Sequence, residues 1–178
     1  MLCRCVAAVG WLLERGCEVD ADLCAEAVKG AVAKSDVAVL TLLSDRGLLL
    51  VSKDLCKTAC EFGFRVDGRG QLLTLQCLHE QAQCPWNRLA LAETAATARK
   101  VGSFAVLRYI LAQGKPSSPA ALTRLLNCTV SCRNIIKARW LREQGAEWPA
   151  ELVHAYGTPW SDRMITWATR EGYKPQAV

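Results

Sequence analysis

Histidine is scarce in this sequence, because the 178 residues include only His79 and His154. A nucleophilic Cys or Ser needs a general base beside it and a further group that orients the base, so two histidines leave few such arrangements. Neither histidine lies in a catalytic motif. The chain also has no Gly-Lys-Ser or Gly-Lys-Thr phosphate loop. We therefore predict no enzyme, no catalytic residue and no bound cofactor.

Long apolar runs are also missing, since none approaches the roughly 18–20 residues that a membrane-spanning helix requires. The segment MLCRCVAAVGWLLERG at residues 1–16 is apolar, but Arg4 and Glu14 bracket a short core and no small-residue cleavage site follows. We interpret it as a helix and not as a signal peptide. With 51% hydrophobic and 22% charged residues, the chain should fold. We expect an intracellular protein, in the cytoplasm or nucleus, with no membrane segment.

Cysteine, in contrast, is abundant, with ten in the chain. An even number is compatible with disulfides. Reduced thiols are favoured here, because no secretory signal is evident and several cysteines lie where a helix would bury a small residue. Cys56 and Cys60 lie one helical turn apart, as do Cys128 and Cys132. Structural zinc usually has four closely spaced ligands, so we expect buried thiols and no metal site.

Almost the same phrase occurs twice, as WLLERG at residues 11–16 and as WLREQG at 140–145. The last residue of the first phrase, Gly16, is the first of a series of anchor positions along the chain. Successive anchor positions lie between 27 and 35 residues apart. A period near thirty indicates a helical repeat. Five members are glycine and one is alanine: Gly16, Gly47, Ala82, Gly114, Gly145 and Gly172.

Apolar residues keep fixed places before this anchor, three and four residues apart, which predicts one buried helix face. The column four residues before the anchor contains Leu12, Leu43, Leu78, Ile110, Leu141 and Ala168. The column seven residues before it contains Val9, Leu40, Leu75, Leu107, Ala138 and Ile165. A third column, five residues before the anchor, includes three tryptophans that we interpret as core spacers between stacked units: Trp11, Trp140 and Trp167.

Helix-capping residues stand where these helices should begin. Their side-chain oxygens accept a backbone N–H that has no partner within the helix, and glycine favours the left-handed conformation that ends a helix. The caps eleven residues before the anchor are Asp36, Ser103, Asn134 and Ser161. The caps four or five residues after it are Asp20, Ser52, Asn87 and Ser118. Each repeat is therefore predicted to contain two short helices, with a surface loop at 63–70, GFRVDGRG, in one of them.

The paired helices, the Leu-rich second helix ending in Gly, and SPAAL at 118–122 resemble ankyrin repeats, whose first helix opens with Thr-Pro. QCPWN at 83–87, CEVD at 17–20 and AEWP at 146–149 are similar to a shorter, divergent Cys-Pro-Trp type. That type is frequent in ankyrin proteins of large DNA viruses of amoebae and of some protists. No unit has the complete Thr-Pro-Leu-His signature, and the stretches after the anchor are shorter than in the standard repeat.

The resemblance implies an all-α, ankyrin-like helical repeat solenoid of about five units with short inter-unit turns. It implies one array over residues 1–178, with a partial unit at 1–16, units at roughly 17–47, 48–82, 83–114, 115–145 and 146–172, and a tail at 173–178. It also implies a monomeric, non-catalytic scaffold or adaptor that binds an unidentified protein partner.

Candidate partner-binding residues stand in or beside the predicted turns. Two of them are tryptophans, which either anchor a partner or pack against the next unit; packing is favoured, because the Pro-Trp and Trp-Pro pairs begin helices. The candidates are Glu18, Asp20, Trp86, Arg88, Lys115, Glu147 and Trp148.

Charge is unevenly distributed and supports an alternative function. Residues 1–89 carry ten Lys or Arg and eleven Asp or Glu, net −1, whereas residues 90–178 carry twelve and six, net +6. This bias could favour an acidic partner or nucleic acid. A solvated basic face is the simpler interpretation, because the charges are interspersed. The basic residues concerned are Arg99, Lys100, Arg108, Arg124, Arg133, Lys137, Arg139 and Arg142.

Overall fold

A computed structural model of the chain describes residues 9–12, 14–16, 20–49, 52, 54–62, 69–98, 103–114, 118–149 and 162–174. These residues form helices joined by turns and include no strand, so the all-α prediction is confirmed. Within these ranges no helix is long and apolar enough to cross a membrane. Candidate residues Glu18 and Lys115, together with His154, lie outside the described residues.

The first of two compact units comprises residues 1–87 and 100–106. Helix α1 packs against α2 and α3, and both α2 and α3 contact α4. α4 continues directly into a π-helix, π1. The bounds are α1 Ala21–Lys34, α2 Val37–Asp45, α3 Leu55–Phe62, α4 Arg69–Gln76 and π1 Cys77–Gln81. Since α4 begins at Arg69, the predicted loop at 63–70 is too long by two residues, and its other residues lie outside the described ranges.

The second unit comprises residues 88–99 and 107–178. Helix α7 is central to its packing, because α7 contacts both α5 and α8. Leu125 and Leu126 of α7 are completely buried there. The helices are α5 Arg88–Thr97, α6 Ser103–Ala112, of which residues 107–112 belong to this unit, α7 Pro119–Ser131, α8 Ile135–Glu143 and α9 Asp162–Arg170.

The turn that connects α1 to α2 is built in the same way as the turn that connects α7 to α8. Ser35 and Arg133 end the first helices in the left-handed region, with φ of 54° and 58°. Asp36 and Asn134 follow, and their side-chain oxygens accept the backbone N–H three residues ahead at 3.3 Å and 3.1 Å. The same chemistry therefore ends one helix and starts the next in both pairs.

Two other predicted caps, Asp20 and Ser118, also form, because their side chains accept the backbone N–H three residues ahead at 2.7 Å and 3.3 Å. Pro119 fills the first position of α7, where a missing N–H costs nothing. Ser52 was predicted to cap α3, and this is wrong: α3 begins at Leu55, so Ser52 stands three residues before the helix.

Every anchor glycine adopts the predicted left-handed conformation, with φ between 68° and 147°. The turn lets the residue after the glycine donate its N–H to the carbonyl five residues back, which satisfies a carbonyl at the helix end. Such bonds join Ala146 to Leu141 at 3.0 Å and Tyr173 to Ala168 at 2.9 Å. The glycines are Gly16, Gly47, Gly114, Gly145 and Gly172.

Ala82 was predicted to hold the sixth anchor, and this is wrong by one residue. The left-handed residue is Gln83, with φ of 50°, whereas Ala82 has φ of −86°. The π-helix explains the shift, since its wider turn adds a residue before the helix ends. The N–H of Cys84 accordingly reaches back six residues to the carbonyl of Leu78 at 2.8 Å.

The predicted apolar columns form the core in most repeats. The buried members are Leu40, Leu43, Leu75, Leu78, Leu107, Ile110, Ala138, Leu141 and Ala168. The prediction is wrong for Leu12 and Trp11, which are exposed, Trp11 by 53%, and for Val9 and Ile165, which are only half-buried. Trp140 and Trp167 are half-buried and not core residues.

Two glycines allow a direct test of the left-handed anchor. A methyl group at Gly30, inside α1, or at Gly145, after α8, meets no atom within 4 Å, so only backbone conformation distinguishes the sites. Gly145 has φ of 96°. Gly30→Ala should stabilise the protein by about 0.5–1 kcal/mol, and Gly145→Ala should destabilise it by about 1–2 kcal/mol. Urea unfolding measures both, and changes of the same sign would contradict the assignment.

Candidate interaction sites

Trp148 belongs to an aromatic cluster in the second unit. Its ring meets those of Trp167 and Tyr173 edge to face, with centroids 5.7 Å and 5.9 Å away. The guanidinium of Arg142 lies 5.1 Å from the ring centre. The indole N–H donates to the carbonyl of Glu171 at 3.3 Å. Of the two roles predicted for Trp148, these contacts support packing, because they hold its indole against α9 and the residues after it.

Trp86 also makes an internal aromatic contact. Its ring stacks on the imidazole of His79 in π1, with centroids 3.8 Å apart and planes inclined by 37°. Both side chains are half-buried. Trp86 therefore covers the π-helix, and this contact gives His79 a packing role.

The other described candidates lie in different places. Asp20 is exposed and caps α1. Arg88 begins α5 and donates to the carbonyl of Gln113, just after α6, at 2.9 Å. Glu147 is exposed beside Trp148. Within the second unit, the described contact of Arg88 lies just after α6, whereas Trp148 contacts Arg142 of α8, Trp167 of α9 and residues after α9, so these contacts do not bring Arg88 and Trp148 together.

A group of buried thiols lies in the first unit. Cys56 and Cys60 belong to α3, and the thiol of Cys84 makes a hydrogen bond with that of Cys56 and donates to the carbonyl of Ser52 at 3.2 Å. Among the described residues no group of three His, Cys, Asp or Glu is placed to hold a metal ion. All seven described cysteines are free thiols: Cys24, Cys56, Cys60, Cys77, Cys84, Cys128 and Cys132.

The environment of Cys56 and Cys60 disfavours their thiolates, which are the reactive form of cysteine. The hydrogen bond to Cys84, reinforced by burial, raises the pKa of Cys56 above its ordinary value. The same hydrogen bond lowers the pKa of Cys84. Burial raises the pKa of Cys60 to about 12. Within the pair, Cys56 therefore holds its proton and Cys84 accepts the hydrogen bond.

Selective alkylation should reveal this protection. In the native protein at neutral pH, iodoacetamide should label half-buried Cys132 at least roughly tenfold faster than Cys60, because the buried thiol is screened and remains protonated. Peptide mass spectrometry with isotope-coded reagents gives the rate at each site. After denaturation both should label completely. Equal native rates would contradict the burial, and a Cys60 that stays unlabelled after denaturation would show a disulfide.

Lys137 is the clearest departure from the predicted basic surface, because its residue is only 1% exposed. It lies on α8, and its ammonium donates to the carbonyls of Ala95 at 2.5 Å, Ala96 at 3.5 Å and Ala98 at 2.7 Å. Ala95 and Ala96 belong to the last turn of α5, whose final carbonyls have no donor within the helix, and Ala98 directly follows the helix. Lys137 is therefore a structural cap and not part of a solvated face.

The position of Lys137 relative to its anchor glycine predicts that it is buried, although its charge suggests an exposed residue. Lys137 lies eight residues before its anchor glycine, where other repeats place Val39, Val106 and Met164, all of them buried. Burial lowers the pKa of Lys137 to about 8. At neutral pH the amine is still protonated, so three N–H donors remain available to the carbonyls.

Replacing this amine should destabilise the second unit. Lys137→Met keeps an unbranched side chain and follows the repeat pattern, but removes the hydrogen bonds that Lys137 donates to these carbonyls. We expect a loss of about 1–3 kcal/mol in the free energy of unfolding at pH 7. Denaturation in urea measures this loss, and an unchanged or more stable variant would contradict the capping role.

The pH dependence follows from the same pKa. The folded value of about 8 lies below the unfolded value of 10.5, so the unfolded chain binds more protons between these values and stability rises with pH. Relative to Lys137→Met, the natural protein should gain up to about 2 kcal/mol between pH 7 and pH 9.5. This comparison cancels the titration of groups common to both proteins.

The sequence did not reveal an open groove of about 300 Å³ in the second unit. We call it the α6–α8 groove. α6 contributes Arg108, Leu111 and Ala112, α7 contributes Leu122, α8 contributes Trp140, and Gln144 directly follows α8. Leu111 and Leu122 are buried, whereas Arg108 is exposed and Trp140 is half-buried. The groove thus has an apolar floor, an aromatic wall and polar groups at its rim.

Comparison of the chain with models of protein families, with curated proteins and with solved structures finds no match.

Proposed function

We propose that this chain is an ankyrin-like repeat solenoid and a non-catalytic scaffold or adaptor for a protein partner. One observation carries the proposal: the pairs α1–α2 and α7–α8 each have a left-handed residue, a side-chain cap directly after it and a terminal glycine at matching places. Repeated helical pairs of this kind build extended binding surfaces from stacked units. An intracellular monomer related to the Cys-Pro-Trp ankyrin proteins of large DNA viruses or protists fits the same interpretation.

The helix contacts within each unit support stacking. In the first unit α1 contacts both its own partner α2 and α3, the first helix of the next predicted repeat. In the second unit α7 likewise contacts its partner α8 and α5, the first helix of the preceding predicted repeat. A helix that uses one face for its partner and another for the adjacent repeat is the basis of nearest-neighbour packing in repeat proteins.

The uneven charge supports a second candidate, which is binding to an acidic partner or to nucleic acid through the basic half. Residues 90–178 carry a net charge of +6. Two of those cations form ion pairs inside the second unit, Arg124 with Glu93 at 2.6 Å and Arg139 with Glu171 at 2.9 Å. These pairs reduce the cationic field available to phosphates, so protein binding is the first proposal.

Affinity capture with the full chain distinguishes the two functions. We expect tagged protein to enrich the same protein partner in repeated experiments, and untagged chain to displace it. Nuclease treatment should leave this capture unchanged. Enrichment of nucleic acid that disappears with rising salt would replace the scaffold proposal by the second candidate, because phosphate contacts release counterions. Repeated capture of nothing specific would contradict both.

A further inference from the structure

Two thiols, those of Cys56 and Cys84, meet inside the first unit. Cys56 lies in the first turn of α3, and Cys84 lies in the segment that follows π1. Both residues are buried, with exposures of 0% and 2%, and a hydrogen bond joins their sulfur atoms. Because the two residues are distant in the sequence, only the tertiary structure places these oxidisable groups side by side.

The backbone around Cys84 fixes the position of its sulfur. The left-handed residue Gln83 turns the chain after π1, and the N–H of Cys84 donates to the carbonyl of Leu78 at 2.8 Å. The thiol of Cys84 donates to the carbonyl of Ser52 at 3.2 Å. That carbonyl also accepts the N–H of Leu55, the first residue of α3, at 3.2 Å. These contacts hold the sulfur at the N-terminus of α3.

The first turn of α3 supplies two donors to this sulfur. The thiol of Cys56 donates one hydrogen bond to Cys84, and the backbone N–H of Cys56 donates another. The first N–H groups of a helix have no acceptor within it, so a negative charge is stabilised there. The thiol hydrogen bond lowers the pKa of Cys84 most, burial opposes it, and the backbone hydrogen bond adds to it. Cys84 is therefore the member of the pair that forms the thiolate.

The segment that contains Cys84 lies next to solvent. Its chain neighbours Gln83 and Pro85 are exposed, and so is Ser52, whose carbonyl accepts the thiol hydrogen bond. Local opening of such a segment costs less than global unfolding. A small, neutral oxidant of the hydroperoxide class therefore reaches the sulfur without unfolding of the unit.

We propose that Cys56 and Cys84 form a redox-sensitive pair that a hydroperoxide converts into a disulfide. The Cys84 thiolate attacks one peroxide oxygen, the O–O bond breaks, and the sulfur becomes a sulfenic acid. The leaving hydroxide combines with the proton that the thiol had lost and gives water. The thiol of Cys56 then attacks the sulfenic sulfur, its proton passes to the departing hydroxyl group, and a second water leaves. The two thiols are oxidised by two electrons, which the peroxide accepts.

The disulfide connects the start of α3 to the segment that leads out of π1. A bond between residues distant in the sequence restricts the unfolded chain, so the oxidised protein should unfold at a higher temperature than the reduced protein. Disulfides in reducing compartments are typically transient and redox-sensing, and thiols reverse them. This inference goes beyond the proposed scaffold function and does not depend on it.

Oxidation of the full, reduced chain with hydrogen peroxide tests the pair, and Cys60 provides an internal control. Cys56 and Cys60 stand four residues apart, so an unfolded chain brings either one to Cys84 at nearly the same rate. In the native protein, the Cys56–Cys84 crosslink should form at least about tenfold faster than a Cys60–Cys84 crosslink, because only the first pair is held in contact. In concentrated urea the two rates should become similar.

Peptide mass spectrometry without reduction measures these rates. Trypsin cleaves after Lys57 and so places Cys56 and Cys60 on different peptides. Cys77 and Cys84 share a peptide, and fragment spectra distinguish them. Dithiothreitol should remove both the crosslink and the rise in unfolding temperature.

Three variants separate the roles of the sulfur atoms. In Cys56→Ala, peroxide should leave a sulfenic acid on Cys84 that dimedone traps, because no partner thiol consumes it. In Cys84→Ala, dimedone should label Cys56 at least about fivefold less, because that thiol holds its proton. Cys60→Ala changes an equally buried thiol of α3 and should leave the rate of the Cys56–Cys84 crosslink nearly unchanged. Circular dichroism identifies any variant that has lost its helices, and the crosslink in the natural chain requires no variant.

The other outcomes overturn the inference. If peroxide links Cys60 to Cys84 as fast as it links Cys56, or links neither while the chain stays folded, the two thiols only pack. If dimedone labels Cys56 more than Cys84 in the single variants, the assignment of the thiolate is wrong. An oxidised chain that unfolds at the same or a lower temperature would show that the bond does not fit the described fold. The scaffold function stands or falls separately, by affinity capture.

Discussion

The left-handed residue at the end of each second helix is the constraint on which the described structure depends. At Gly145 this conformation turns the chain so that the N–H of Ala146 meets the carbonyl of Leu141. Leu141 itself is buried, so the same turn satisfies a helix-end carbonyl and fixes the apolar side chain in the core. It also returns Trp148 toward α9, where the aromatic cluster forms. Backbone geometry, core packing and the start of the next segment are thus set together.

Short helices create a second requirement, because each one ends with carbonyls that its own backbone cannot satisfy. Two long polar side chains meet this requirement from neighbouring helices. The amide of Gln71 in α4 donates to the carbonyls of Ala59 and Cys60 at the end of α3, at 3.2 Å and 2.7 Å. Lys137 in α8 does the same for α5. Burying these donors is tolerable because the Nε2 of Gln71 and the amine of Lys137 reach carbonyls at a helix end, whereas the Oε1 of Gln71 is buried with no hydrogen-bond partner among the described residues.

Contacts within the protein also engage several residues that were candidates for binding a partner. Asp20 and Arg88 secure helix ends, while the aromatic rings of Trp86 and Trp148 pack against other rings of their own unit. Turn residues committed to internal contacts lose entropy on folding and offer less surface to a partner. The internal contacts of Trp86 and Trp148 therefore weigh against these two side chains as the main contacts with a partner.

The sequence by itself determined the all-α class, the caps at Asp36 and Asn134, the left-handed glycines and most of the buried columns. These features depend on the conformational preferences of a residue and its near neighbours, so a repeating pattern reveals them. Tertiary structure decided the rest. Lys137 is buried because the carbonyls of α5, some forty residues earlier, surround its amine. Gln83 replaces Ala82 because π1 adds a residue to its turn, and the groove exists only where three helices meet. Such outcomes depend on distant atoms, and no local pattern contains them.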